Sequence, residues 1–221
     1  QVDYVKPEQM QSQEFGYRGK LSRTFTVDAA VYRNDFQDFI NTQVVLSPLY
    51  GEVGDGGLSV LAMANGDFET WSSYTNSPAE ISSWGVSIGA QTKIFGNFDL
   101  SANYTKSKLE FEQSLYPDFR TNWNTPEHKI KAQFGNTQLF ENFGFNVAWR
   151  YWSEYLWQAS FGDGMVPETH VIDAQFNLTV PKWKSVIKVG ATNLGGEEYF
   201  TAFGSGFIGT QYYISWTANN F

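Results

Sequence analysis

The chain of 221 residues has no cysteine and no long apolar segment. Without cysteine it can form neither disulfide bonds nor thiolate metal sites. No run of about 18 apolar residues is present, so the sequence contains no transmembrane helix. Its first residues, QVDYVKPEQM, lack a basic start and an apolar stretch. No secretion signal is therefore visible; it has been removed, or the chain starts within a longer protein.

Positive charge and histidine are also scarce. The chain has 15 Lys and Arg residues against 23 Asp and Glu residues, a formal net charge of −8. Nucleic acid is therefore not an expected partner, because phosphate binding needs clustered Lys and Arg. The two histidines, His128 and His170, lack partners at metal-site spacing, and no cofactor is expected.

Two short motifs look enzymatic but stand in the wrong context. The GxGxxG match at residues 204–209 precedes a strand pattern, whereas a dinucleotide site needs a helix there. The GxSxG match at residues 85–89 lies inside an alternating segment, whereas a nucleophile elbow is a sharp turn from strand to helix. We therefore expect that the protein is not an enzyme.

The sequence is instead rich in aromatic residues (18%) and in alternating apolar and polar positions. In FGNFDLSANYTKSKLEFE, residues 95–112, large apolar residues recur at every second position from Phe98 to Tyr104. A strand sends alternate side chains to opposite faces, so one face is apolar and the other polar. The same pattern recurs along the chain and predicts nine strands, with no helical spacing, near residues 14–21, 25–31, 84–94, 98–105, 129–134, 143–152, 172–180, 187–192 and 207–221.

Short and long connections alternate along these strands. The tight ones are residues 21–23, 95–97, 140–142 and 181–184, and the long ones are 47–80, 113–126, 157–169 and 195–206. In an up-and-down sheet all tight turns then lie at one end, as in outer-membrane barrels, and aromatic residues near the strand ends resemble interfacial girdles. The sequence predicts an all-β, up-and-down antiparallel transmembrane β-barrel whose apolar face meets the lipid bilayer of the bacterial outer membrane.

An odd number of strands has a further implication. Single-chain bacterial barrels have even strand counts, and unpaired edges are costly in lipid. We therefore expect residues 1–221 to be the C-terminal segment of a larger barrel, with residues 1–10 in an outer loop. Two alternatives stay open: a complete barrel of eight to ten strands acting as a passive pore or structural protein, and a soluble carbohydrate-binding β-sandwich.

Five stretches resemble the C-terminal barrel of TonB-dependent outer-membrane receptors, especially those of Bacteroidota. They are VKPEQMQSQEFGYRG (5–19), VYRNDFQDFI (31–40), TPEHKIKAQF (125–134), VGATNLGGEEYF (189–200) and GSGFIGTQYYISWTANNF (204–221). The resemblance implies a barrel of about 22 strands around an N-terminal plug, driven by TonB. It implies import of a scarce bulky nutrient such as a glycan, a peptide, a ferric chelate or a vitamin.

The same resemblance sets the expected partners. They are the rest of the barrel, the plug domain, TonB acting through parts that this chain lacks, and, in the glycan-importing branch, a surface lipoprotein. The closing strand, with Tyr212, Ile214 and Trp216, resembles the family's barrel-assembly signal. The final Phe221 is one step out of phase with these three residues.

Candidate substrate-facing residues lie near predicted outer strand ends and in the longest loop. They are Trp71, Arg150, Trp152, Glu154, Tyr155 and Trp157. Aromatic side chains there can stack on sugar or chelate rings, or they can belong to the interfacial girdle. We place Trp71 with them because binding residues collect on loops held by rigid scaffolds.

Overall fold

The computed structural model describes residues 4–52, 54, 56–159 and 161–218. The strands are β1 (Gln9–Lys20), β2 (Thr26–Gln37), β3 (Ile40–Pro48), β4 (Phe68–Asn76), β5 (Ile81–Ile94), β6 (Phe98–Glu110), β7 (Phe119–Arg120), β8 (His128–Phe140), β9 (Phe143–Trp152), β10 (Tyr155–Ala159), β11 (Gly162–Val166), β12 (Thr169–Val180), β13 (Ser185–Thr192) and β14 (Gln211–Ala218). One α-helix, α1, spans Leu58–Asn65, and 3-10 turns lie at Gln113–Leu115 and Pro181–Trp183. None of the helices in these ranges is long and apolar enough to cross a membrane.

Nine of the strands form one antiparallel sheet in the order β1-β2-β5-β6-β8-β9-β12-β13-β14. Each strand pairs with the next strand of this sheet along the chain, which is the up-and-down arrangement. The nine strands predicted from the alternation are therefore confirmed. Within the described residues β1 and β14 are the two edges and do not pair with each other, so these residues do not close a barrel.

The connections in this sheet also fall into two kinds, as predicted. Tight turns of two to five residues lie at one end, and the long loops 38–80, 111–127, 153–168 and 193–210 lie at the other. The turn between β5 and β6 is short because Phe95 (φ 46°) and Gly96 (φ 90°) both adopt left-handed backbone conformations. The N-terminal segment lies at the long-loop end, since the backbone N–H of Lys6 donates to the side chain of Asn76 at 2.7 Å.

Strand register separates an apolar face from a polar one. Val147 of β9, for example, pairs with Phe134 on one side and Ala174 on the other. The apolar face is not covered by a second layer: Phe176 is 52% exposed and Ile88 is 49% exposed. A soluble sandwich would bury this face in a core, so the structure does not fit that alternative. An apolar face left open in this way is typical of barrel strands that meet lipid.

Aromatic rings cluster at both margins of the apolar face. Near the tight turns, Phe98 and Phe134 stack with ring centroids 5.4 Å apart, and Phe145 packs edge-on against Phe134 at 5.7 Å. Near the long loops, His170 stacks on Trp149 with centroids 5.9 Å apart. His128 likewise lies at the outer margin of this face. Rows of aromatic residues at these two levels are typical of membrane interfaces.

The long loops carry structure of their own. Strands β3, β4 and β7 form a three-stranded sheet, and β10 and β11 form a separate hairpin. The helix α1 was not predicted, and the expectation of no helix is wrong here. Eight residues are too few to show helical periodicity, and the flanking Gly57 and Gly66 resembled an irregular loop. Gly66 ends the helix with a left-handed φ of 79°, a conformation that glycine adopts without strain.

Candidate substrate-facing site

The polar face forms the inner wall of the sheet and carries Arg150 of β9. The Nη2 atom of Arg150 donates to both carboxylate oxygens of Asp173 on β12, at 2.9 and 3.2 Å. Asp173 also accepts the backbone N–H of Asn193 at 3.0 Å. The Arg150–Asp173 ion pair therefore links β9 to β12, and its carboxylate also holds the start of the loop 193–210, contacts that the position of Arg150 in the sequence does not reveal.

Two lysines lie next to Arg150 on the same wall. In the pairing of β8 with β9, Lys131 is opposite Arg150 and Lys129 is opposite Trp152. Cross-strand partners share a face, so these side chains point to the same side of the sheet. Within the described ranges neither lysine has an ion-pair partner, whereas the charge of Arg150 is balanced by Asp173. The wall therefore carries net positive charge at this height.

Aromatic contacts join the loops 153–168 and 193–210 above this wall. The ring of Trp152 packs edge-on against Tyr199 with centroids 5.5 Å apart. The hydroxyl of Tyr155 donates to the backbone carbonyl of Thr201 at 2.7 Å. Burial in this contact raises the pKa of Tyr155 above its ordinary value. The two loops are thus tied together at their bases.

The tips of the same loops interlock through two phenylalanines and two glycines, which we call the glycine clasp: Phe161, Gly164, Phe203 and Gly204. The ring of Phe203 lies on Gly164, where an added Cβ atom would overlap it. In the opposite direction, Phe161 lies beside Gly204, where a Cβ atom would come within 2.8 Å of its ring. Each loop therefore supplies an aromatic ring to the glycine of the other.

A network of amide side chains attaches the loop 111–127 to its neighbours. Asn124 donates to the carbonyl of Gln158 at 2.9 Å, and its own side-chain oxygen accepts the N–H of Gln158 at 2.7 Å. On the other side, Asn41 of β3 donates to the carbonyl of Thr121 at 2.8 Å and accepts from Asn122 at 2.7 Å. These bonds connect the three-stranded sheet, the loop 111–127 and the β10–β11 hairpin.

A cleft of about 460 Å³ opens where the loops 111–127, 153–168 and 193–210 meet. We call it the loop cleft. It is lined by Asn122, Asn124, Trp157, Gln158, Ala159, Phe161, Ala202, Phe203, Gly204 and Ser205. Aromatic and amide side chains dominate this lining, and none of the residues is charged.

The structure distributes the predicted site residues over four places. Arg150 and Trp152 lie on the inner wall, Glu154 is exposed between β9 and β10, and Tyr155 and Trp157 lie on β10 with rings 6.4 Å apart. Trp71 lies elsewhere, on β4, where it pairs with Val45 and is 56% exposed. The structure therefore does not bring Trp71 together with the other candidates.

The candidate assembly residues of the closing strand can be placed only in part. Tyr212, Ile214 and Trp216 lie on the apolar face of β14, opposite Ala191, Val189 and Ile187, and are 66–77% exposed. Phe221 lies outside the described residues, so its predicted role stays a prediction.

Sequence reasoning missed the phenylalanines of the loop cleft. Phe161 and Phe203 each begin a Phe-Gly-x-Gly segment, FGDG at 161–164 and FGSG at 203–206. The repetition of this segment in two loops was the available signal, since both segments contribute to the glycine clasp. Asn122 and Asn124 gave no comparable signal in the sequence.

Taken together, an apolar outer face, a polar inner wall, tight turns at one end and structured loops at the other define a segment of a transmembrane β-barrel of the outer-membrane type. The sequence matches the family model "TonB dependent receptor-like, beta-barrel" over residues 2–194. The chain belongs to this family, which confirms the resemblance seen in the sequence. The Bacteroidota type stays a prediction.

Solved structures share the fold at low sequence identity. The copper transporter OprC superimposes with a TM-score of 0.67 at 16% identity, covering 96% of this chain and 31% of that one. The FrpB iron transporter from Neisseria meningitidis gives 0.65 at 13% identity, covering 97% and 32%. The siderophore receptor PirA from Acinetobacter baumannii gives 0.61 at 15% identity, covering 96% and 32%. The chain thus spans about a third of each of these structures, and no curated protein matches its sequence.

Proposed function

We propose that this chain is the barrel segment of a TonB-dependent active importer, not an enzyme, which takes up a scarce bulky nutrient through the bacterial outer membrane. The observation that carries the proposal is the joining of three outer loops into one structure directly above a polar inner wall. Binding residues commonly lie on loops held by a rigid scaffold. Similarity to transporters of copper and iron and to a siderophore receptor supports the proposal at the level of fold.

The proposed route runs from the outer loops to the inner wall. Tyr155 and Trp157 belong to the outer part, and Arg150 and Trp152 to the wall below. A substrate, or an acidic loop of the plug domain, would meet the positive charge that Lys129 and its neighbour Lys131 place there. The nutrient itself, among glycans, peptides, ferric chelates and vitamins, is not specified by these residues.

The proposed partners follow from the same assignment. They are the lipid bilayer, the further strands and plug domain of the same receptor, TonB, and, for a glycan importer, a surface lipoprotein. A plug is needed in this proposal because an open barrel of this class would leak, whereas an active importer must hold its pathway closed between transport events.

The test uses the complete receptor in its own bacterium. Strains that lack the receptor gene, or lack TonB, are compared with the parent for uptake of labelled ferric citrate, cobalamin, copper and neutral oligosaccharides. We expect at least one uptake to be lost in both strains and in parent cells treated with a protonophore. Unchanged uptake of the whole panel would contradict the proposal.

A conductance measurement separates the importer from the passive-pore alternative. The complete receptor, reconstituted in a planar bilayer, is expected to stay closed, because its plug fills the lumen. A steady open conductance of porin size, together with uptake that resists the protonophore, would favour the passive pore instead.

A further inference from the structure

We propose that the loop cleft binds an uncharged saccharide and is the first contact of the transported nutrient. The inference rests on the proposed importer function and adds a substrate class to it. Its basis is the lining of the cleft, which combines aromatic rings with carboxamide groups and has no charged residue. Its volume of about 460 Å³ lies within the range of small-molecule sites.

Aromatic rings form one side of the cleft. Trp157 pairs across the hairpin with Gly164, and the ring of Phe203 lies on that glycine. Trp157 and Phe203 are therefore neighbours. Phe161 stands at the rim and remains 71% exposed although it is a large apolar residue. Flat rings at a cleft opening provide surfaces on which the C–H faces of a sugar ring can pack, without requiring any charge on the ligand.

Amide side chains complete the lining. Asn122 and Asn124 line the cleft beside the buried Gln158, and a carboxamide both donates and accepts hydrogen bonds. Hydroxyl groups of a saccharide also do both, so they can use the donor and acceptor capacity that the bonds within the protein leave over on these amides. The network through Asn41 and Thr121 fixes these amides before any ligand arrives, which reduces the ordering cost of binding.

The nearest charges do not change this conclusion. The Nε atom of Arg120 lies 3.5 Å from a carboxylate oxygen of Asp163. The Nη1 atom of Arg120 donates a hydrogen bond to the carbonyl of Ala159 at 2.9 Å. This guanidinium and this carboxylate therefore neutralise each other, and neither residue lines the cleft. An anionic ligand would find no unpaired cation in the lining, and a cationic ligand would find no carboxylate.

The test measures binding of oligosaccharides to the purified complete receptor. A panel of neutral hexose and pentose oligosaccharides is titrated while tryptophan fluorescence is recorded, with ferric citrate and a uronic acid oligomer as charged probes. We expect at least one neutral oligosaccharide to bind. Replacing Trp157 with alanine should weaken that binding about tenfold, and Trp157→Phe by only a few-fold, because a ring remains.

Trp183→Ala is the matched control. It removes an exposed tryptophan of the tight turn between β12 and β13, at the end of the sheet away from the cleft, and binding should stay unchanged. If Trp157→Ala does not fold, judged by the heat-dependent shift of the barrel on a gel, Phe161→Ala replaces it, since Phe161 is largely exposed. Binding that is lost equally in the Trp183 and cleft variants would overturn the site.

The outcomes separate this inference from the importer proposal. If only charged probes bind, or no neutral oligosaccharide binds while another nutrient enters in a TonB-dependent manner, the saccharide site is wrong and the importer stands. If an oligosaccharide binds through Trp157 but its uptake persists without TonB, the cleft is supported and the importer proposal fails.

Discussion

The assignment of the apolar face to lipid predicts a large penalty for one added charge. Val147 lies at the middle of the apolar row of β9, between Phe134 and Ala174 on the neighbouring strands. Replacing Val147 with lysine places an ammonium group in hydrocarbon. We expect this change to lower the free energy of unfolding of the complete receptor in lipid vesicles by about 3 kcal/mol.

The magnitude follows from the depth of the residue. Val147 is four residues from each end of the row that runs from Phe143 to Tyr151. With a rise of about 3.3 Å per residue this is about 13 Å along the strand, or about 10 Å of depth for a strand tilted by about 40°. A charge at the bilayer midplane costs about 2–4 kcal/mol. The flexible lysine recovers part of this by bending toward the interface, so we take the middle of the range.

The adjacent position supplies the control. Ala148 has the opposite orientation and pairs with Asp173 and Gln133, so Ala148→Lys places its charge on the polar wall, beside a carboxylate. We expect a loss below about 1 kcal/mol, because a cross-strand pair of opposite charges is weakly favourable. Urea titrations of both variants, followed by the heat-dependent gel shift, measure the difference. Equal losses, or a larger loss for Ala148→Lys, would refute the assignment of faces.

Three further changes test packing and loop attachment. Gly85→Ala should lower the free energy of unfolding in urea by about 1–3 kcal/mol, because the new Cβ atom would lie 2.5 Å from the ring of Tyr32. A loss below about 0.5 kcal/mol would contradict this contact. Asn193→Ala should speed protease cleavage within residues 193–210, since the buried side chain donates to the carbonyl of Glu197 at 3.0 Å; unchanged cleavage would argue against that role. Burial disfavours the charged tyrosinate and so raises the pKa of Tyr155. The stability that the neutral Tyr155 side chain contributes should therefore be complete below pH about 10 and be lost as the pH rises through this raised pKa. A difference absorbance titration against Tyr155→Phe measures this, and a pKa at or below the ordinary value would refute it.

The nine-stranded sheet was predictable because the alternation of apolar and polar residues that defines each strand can be read within that strand alone. A strand in contact with lipid on one face must alternate at every second residue, and a shift by one position would place polar groups in hydrocarbon. The segment from Phe98 to Tyr104 shows this alternation without any knowledge of its neighbours. The lengths of the connections then order the strands, so both the pairing and the polarity of the sheet follow from the sequence.

The outer structure was not predictable because its contacts are distant in sequence. Thr42 of β3 pairs with Arg120 of β7, and Phe161 packs on Gly204. Such contacts leave no periodic pattern in either segment. The candidates Tyr155 and Trp157 were found because they are aromatic residues near a strand end. Trp71 was grouped with them because it lies in the longest loop, but the fold places it on a separate sheet.

The glycine clasp has a consequence for how these loops can change over time. Phe203 fits only above a residue without a side chain at position 164, and Phe161 requires the same of position 204. A bulky substitution in either loop therefore disturbs the packing of the other, although about 40 residues separate them in the chain. We therefore expect the two loops to move, to release ligand and to vary in sequence together. A tag inserted into one loop should detach both loops from each other.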